Sequence, residues 1–175
     1  RCERMPANWK IVADAFLETY HVKTIHAQSV SRLLDHRGAA MGLFAHGHSR
    51  MVTPKWEKAV TAQRENGSLL PTIPGLDPLF TETNPAYSLF PNLITPLDTT
   101  GFPFILFWPV DAETTDVEWT FYGPPTTPEQ DMVWENFIRI FDAVMDEDFI
   151  NLAPMQRSIA SGALASIPLS YQERR

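Results

Sequence analysis

Residues 126–153 read TTPEQDMVWENFIRIFDAVMDEDFINLA, the clearest helical pattern in the chain. Thr127 stands where an N-cap belongs, Pro128 at the first helical position, and Gln130 where it completes a capping box. Behind them Val133, Trp134, Phe137, Ile138, Phe141, Val144, Met145 and Leu152 recur at helical spacing, so the stretch predicts a long helix with one apolar stripe to bury. Asp142 and Asp146 fall off that stripe, as solvated acids do. Asp148 does not: it lies seven residues after Phe141 and four before Leu152, on the apolar side. A lone carboxylate is costly to bury unless something cationic neutralises it. A metal ion would do so. The other reading is that Asp148 belongs to the acidic run DEDF and is solvated near a helix end.

The stripe needs a partner layer, and the sequence before it supplies one. Segments 39–53, 87–94, 103–110 and 116–122 predict strands, and DVEWTFY (116–122) alternates polar and apolar residues as a half-buried antiparallel strand does. From Asn8 to about Tyr20, residues Trp9, Val12, Ala13, Phe16, Leu17 and Tyr20 mark an amphipathic helix capped by Asn8. Residues 64–86, RENGSLLPTIPGLDPLFTETNPA, are too broken for regular structure and too long for a turn, which suits an entrance loop or a surface excursion. A helix, antiparallel strands and a long helix, in that order, give an α+β domain in which a curved sheet wraps the C-terminal helix and leaves room for a pocket.

With 175 residues and 44% hydrophobic side chains, the chain is sized for one domain, residues 1–175. Its 14 basic and 21 acidic side chains leave a net charge of -7, which disfavours nucleic acid or an anionic membrane surface as partner. The lone cysteine, Cys2, allows no internal disulfide and points to a reducing cytoplasm. No apolar run approaches the roughly 20 residues needed to span a bilayer.

Residues 18–26, ETYHVKTIH, place two of the five histidines close together. Glu18 and His21 share a helix face, whereas His21 and His26 would point about 140° apart on a straight helix. They converge only if the helix ends between them, and the β-branched Val22, Thr24 and Ile25 favour that. Two neutral imidazoles and Asp148 then match the facial triad of non-haem iron(II) oxygenases, which keeps positions open for dioxygen and substrate. The alternative at this point is two ordinary histidines and a solvated aspartate.

NWKIVADAFLETYHVKTIH (8–26), SLFPNLI (88–94) and DEDFINLAPMQ (146–156) together resemble the catalytic domain of Rieske-type aromatic-ring-hydroxylating oxygenases, large (alpha) subunit. The resemblance runs from Trp9 to about Gln156 and implies a helix-grip fold similar to START and Bet v 1 domains. It implies that His21, His26 and Asp148 ligate a mononuclear Fe(II), and that Glu18 bridges this site to an iron–sulfur cluster on a neighbouring subunit. Most members carry Asp at that position. A carboxylate one turn before His21 is suited to holding the imidazole's other nitrogen.

The family's Rieske [2Fe-2S] cluster needs a Cys-x-His and Cys-x-x-His ligand set that one cysteine cannot supply. The N-terminal Rieske domain is therefore expected in a longer subunit, given the start at Arg1 and the end at SYQERR, or on a separate protein. Electrons would come from NAD(P)H through a reductase or ferredoxin, and the resemblance implies a homotrimer. The implied reaction is mono- or dioxygenation of a small organic, aromatic substrate, with Phe90, Phe104, Phe107 and Phe141 as candidate lining. His36, His46 and His48 are read first as structural or pocket-edge groups, with His46 and His48 sharing a strand face. Arg50 is a candidate for a substrate carboxylate. Two rival readings stand beside this one: a helix-grip ligand-binding module with an idle metal site, and a regulatory subunit of an oxygenase assembly.

Overall fold

In the computed structural model, which describes residues 1–164, 166–168 and 170, the long helix α4 runs from Pro128 to Ala160 with the Thr127–Gln130 capping box formed. Apart from Ser170, the SYQERR end lies outside the described residues. Facing α4 is a seven-stranded antiparallel sheet, β1 (Cys2–Met5), β2 (Ala40–Leu43), β3 (Ser49–Pro54), β4 (Thr83–Leu89), β5 (Leu93–Pro96), β6 (Phe102–Pro109) and β7 (Thr115–Tyr122). Its spatial order is β1-β7-β6-β5-β4-β3-β2. This is the helix-grip α+β architecture expected from the element order. Met145 and Leu152 of α4 are buried with Ile94, Ile105, Phe107, Val117 and Trp119 of the sheet. Each large apolar side chain so buried stabilises the fold by about 1.5–3 kcal/mol before entropy is counted.

The ends of the sheet are tied by longer-range contacts. Arg4 forms a two-pronged ion pair with Asp116 across β1 and β7, at 2.7 and 2.8 Å. Asp142 and Asp146 are engaged rather than simply solvated: Trp119 Nε1 donates to Asp142 at 2.8 Å, and Arg1 pairs with Asp146. Gln156 accepts from the Asn8 backbone N–H at 2.9 Å, fixing the start of the first helix to the end of α4. Gly101 sits where a side chain cannot. A Cβ there would lie 2.5 Å from the Trp134 ring and 2.7 Å from the Tyr122 carbonyl oxygen.

Several local expectations need correction. The first helix, α1, covers only Trp9–Asp14. Asn8 caps it as read, but after Asp14 the chain tightens, with Phe16 and Leu17 N–H groups donating to the Ala13 and Asp14 carbonyls, and further on the Glu18 carboxylate accepts the backbone N–H groups of Tyr20 and His21. The segment 39–53 is two strands rather than one, because His46 (φ 63°) and Gly47 (φ 81°) turn the chain between β2 and β3. His46 and His48 therefore do not share a strand face; His48 Nδ1 accepts the Phe90 N–H at 3.0 Å instead. Helix α2 (Glu57–Asn66) reaches into the expected loop 64–86, as do the short helix α3 (Leu79–Glu82) and the start of β4. The sheet also gains β1, whose four residues are too few for a period to register.

Candidate metal centre

Past α1 the chain continues as a run of turns, and both histidines lie on it. His21 opens a one-turn 3-10 helix, His21–Lys23, whose carbonyl receives Thr24 N at 2.9 Å and Ile25 N at 2.8 Å. Thr19, almost wholly buried, donates its hydroxyl to the His36 carbonyl at 2.8 Å and pins the turn to the next loop. The helix thus ends before both imidazoles, and their ring centroids approach to 5.1 Å.

The two rings are held from behind in the same manner. Glu18 Oε1 faces His21 Nδ1 within hydrogen-bond contact. Glu147 Oε2 faces His26 Nδ1 at 2.7 Å and also accepts from Ser29 Oγ at 2.6 Å. A carboxylate on Nδ1 fixes that nitrogen as the donor and turns the Nε2 lone pair the other way. Both Nε2 atoms point at Asp148 Oδ1, at 3.6 Å from His21 and 3.0 Å from His26. One donor atom from each of His21, His26 and Asp148 falls within 4.8 Å of the others, the one such grouping among the described residues.

Three lone-pair donors converging on one point repel unless a proton or a cation sits between them. Asp148 is 8% exposed, and its buried Oδ1 has no properly directed hydrogen bond from the described residues. Burial lowers the pKa of His26, but the Asp148 and Glu147 carboxylates outweigh it and leave the imidazole above its ordinary value. Burial raises the Glu147 pKa, and the Ser29 hydroxyl and His26 more than reverse this, leaving it below the usual range. An orphaned carboxylate oxygen and two imidazoles oriented through their far nitrogens fit a divalent metal such as iron.

The centre opens into a cavity of about 260 Å³ between α4 and the sheet. Its walls are mainly apolar, with Phe16, Phe137, Phe141, Val144, Ile94 and Met51 prominent. Of the four aromatic residues expected there, Phe141 lines the cavity and the other three are placed elsewhere. Phe104 alternates to the outer sheet face, clustering with Phe102 and Tyr122. Phe107 is fully buried in the core behind Phe16, at 5.5 Å between ring centroids. Phe90 is 59% exposed in the β4–β5 connection. Arg50 falls between Met51 and Ser49 on β3 and, since Met51 and Thr53 face the cavity, points to the other side. Glu147 was not anticipated. Its sequence signal is its place beside Asp148 in DEDFINLAPMQ, a stretch that carries the family resemblance but attaches no role to Glu147.

A family model described as ring hydroxylating alpha subunit (catalytic domain) matches residues 3–175. No curated protein matches the sequence. Among solved structures, a quaternary ammonium Rieske monooxygenase is similar at TM-score 0.69 and 18% identity, over 91% of this chain and 40% of that one. Naphthalene 1,2-dioxygenase from Rhodococcus sp., bound to indole, gives TM-score 0.64 and 19% identity over 91% of this chain and 43% of that one. Dicamba monooxygenase bound to dicamba gives 0.66 and 10%, over 99% and 53%. At these identities the likeness concerns the fold, and the chain spans only about two fifths to about half the length of those proteins. The family model itself covers nearly the whole chain. This chain belongs to the ring hydroxylating alpha subunit family, as its catalytic domain.

Proposed function

We propose that this domain binds one Fe(II) through His21 Nε2, His26 Nε2 and a carboxylate oxygen of Asp148, and hydroxylates an apolar, aromatic substrate held in the adjoining cavity. The observation that carries this reading is the convergence of those three donors on one point, with the buried Asp148 Oδ1 left without a directed hydrogen bond. When bound, the metal supplies dioxygen activation, for which three protein donors leave positions free. The chain's own residues do the rest. Glu18 and Glu147 hold the Nδ1 protons and keep both Nε2 atoms facing inward. Phe16, Phe137 and Phe141 offer flat apolar surface against which a ring packs, and the apolar walls exclude water from the reacting end.

The solved relatives' names cover a quaternary ammonium monooxygenase, a naphthalene dioxygenase and a dicamba monooxygenase. The aromatic lining is what favours a ring-bearing substrate here. By the family resemblance, electrons reach the iron from a Rieske [2Fe-2S] cluster through Glu18. That cluster would lie in another part of the protein or on a separate one, reduced from NAD(P)H by a reductase or ferredoxin. We extend the proposal to a homotrimer in the cytoplasm, in keeping with the family and with a single, exposed cysteine. None of the described helices is long and apolar enough to cross a membrane.

Iron stoichiometry after anaerobic reconstitution tests the metal site. The expected result is about one iron per chain in wild type, set by the single three-donor centre, and loss of iron in both His21→Ala and Asp148→Ala. Iron retained in both variants would sink the assignment, as would none in the wild type. Product analysis under isotopically labelled dioxygen then separates one-atom from two-atom incorporation.

A further inference from the structure

The cavity has a second polar feature, far from the histidines. Its walls include Phe137 at one end of the α4 stripe and Asp148 at the other, eleven residues apart. At 1.5 Å per residue that separation is about 16 Å along the helix. Gly101 lines the Phe137 end, lying against Trp134, and the Asp98–Gly101 turn is closed by Asp98 N–H donating to the Gly101 carbonyl at 3.1 Å. Asp98 also lines the cavity. A carboxylate-bearing residue therefore lines the chamber at the end opposite the metal centre, and Asn84 and Thr53 are further polar residues of the same wall.

The surroundings of Asp98 show which ligand chemistry it suits. Its Oδ1 is occupied, accepting Thr99 N–H at 2.6 Å and the Thr99 hydroxyl at 3.1 Å. Its Oδ2 pairs with Lys55 Nζ, at 3.5 Å. The Lys55 side chain is 2% exposed and does not line the cavity; its ammonium also reaches the Phe80 carbonyl at 3.4 Å. Lys55, which does not line the cavity, thus balances the charge of Asp98, and an Oδ2 whose ion-pair partner lies at 3.5 Å retains acceptor capacity. A charge-balanced acceptor favours a neutral O–H or N–H donor over a bare cation, whose charge would find no excess negative charge to meet.

We infer that Asp98 is a specificity-determining residue that accepts a hydrogen bond from the polar end of an elongated, otherwise apolar substrate, whose opposite end is thereby set beside the metal centre. The substrate class is accordingly an apolar, ring-bearing molecule with one terminal hydroxyl or N–H group. The inference rests on the proposed function only in taking this cavity as the substrate site, and it is read by binding, not turnover.

The test titrates the intact protein with four probes of one shape: a para-alkylphenol, its methyl ether, the parent alkylbenzene and the matching aryl trimethylammonium, followed by tryptophan fluorescence. In wild type the phenol should bind roughly tenfold more tightly than the ether, the scale of one hydrogen bond to a charged acceptor. Asp98→Leu should bring phenol and ether to within about twofold of each other, while Asp98→Asn, which keeps an acceptor oxygen, should retain part of the preference. Equal binding of phenol and ether to wild type overturns the inference without reference to any variant, so it stays testable even if Asp98→Leu does not fold. An unchanged preference in a folded Asp98→Leu protein also overturns it. So does tightest binding of the trimethylammonium probe with that preference lost in Asp98→Leu. Iron content measured on the same samples reports separately on the metal centre, so a failure there is distinguishable from a failure at Asp98.

Discussion

Replacing Glu147 by Gln tests whether the site is built as its geometry indicates, because the substitution keeps size and one acceptor oxygen but removes the charge. Glu147 Oε2 lies 2.7 Å from His26 Nδ1 and 2.6 Å from Ser29 Oγ. The Ser29 contact exists with or without metal and cancels from the comparison. The contact to His26 does not cancel, since it holds the ring with Nε2 toward Asp148 and strengthens that nitrogen as a donor. A hydrogen bond to a charged group contributes about 1.5–3 kcal/mol and a neutral one about 1, so the difference is roughly 1 kcal/mol. The Glu147 side chain is 34% exposed, and solvent screening trims that figure. Iron affinity should therefore fall about 3- to 8-fold in Glu147→Gln, and roughly 10- to 100-fold in Glu147→Leu, which leaves the ring unsupported. Competition with a chromophoric chelator measures both, with the exposed Glu135→Gln on the same helix as a control. If Glu147→Leu binds iron as tightly as wild type while His26→Ala loses it, then Glu147 does not orient the ligand and the reasoning fails.

Three further outcomes follow from the fold. Gly101→Ala should lose roughly 1–3 kcal/mol in urea unfolding, because the new methyl group meets the Tyr122 carbonyl and the Trp134 ring, and the backbone oxygen cannot swing aside. Trp119→Phe should cost about 1–3 kcal/mol by the same assay, since it leaves Asp142 without its indole donor and thins a fully packed region. Arg4 holds Asp116 below the usual carboxylate range, chiefly by hydrogen bonding. A carboxylate depressed in the folded state stabilises above its unfolded pKa and loses that contribution as pH falls through the folded value. Thermal unfolding measured from neutral pH downward should therefore show wild type losing more stability through the carboxylate range than Arg4→Met. Parallel curves would refute a stabilising role for this pair.

Local information was legible, and it concerned the elements that carry the site. The capping residues Thr127, Pro128 and Gln130 and the α4 stripe are relations between residues a turn or two apart, so the longest helix could be read with its cap and its apolar face. The same periodicity marked Asp148 as a carboxylate on the buried side. The H-x4-H spacing required a helix break between the imidazoles. The chain leaves the helix earlier, after Asp14, where Phe16 and Leu17 N–H groups turn to the Ala13 and Asp14 carbonyls, and the Glu18 carboxylate then takes up the Tyr20 and His21 N–H groups.

Tertiary structure decided what depends on register and on distant partners. Phe104 and Phe107 read alike in the sequence, yet the pairing of β6 with β7 sends one to the outer face and seals the other behind Phe16. Glu147 reaches His26 across 121 residues of chain, and nothing local separates it from an ordinary surface acid. Asp98 became part of the cavity only when the β5–β6 turn was set against Trp134. Periodicity and capping act within a few residues, so the gripped helix, the histidine pair and the carboxylate on the buried side of the helix could be read before the fold was known. Which groups support those side chains, and which line the space beside them, was settled by the packing of sheet on helix, where a shift of one residue in register would exchange every inward side chain for its neighbour.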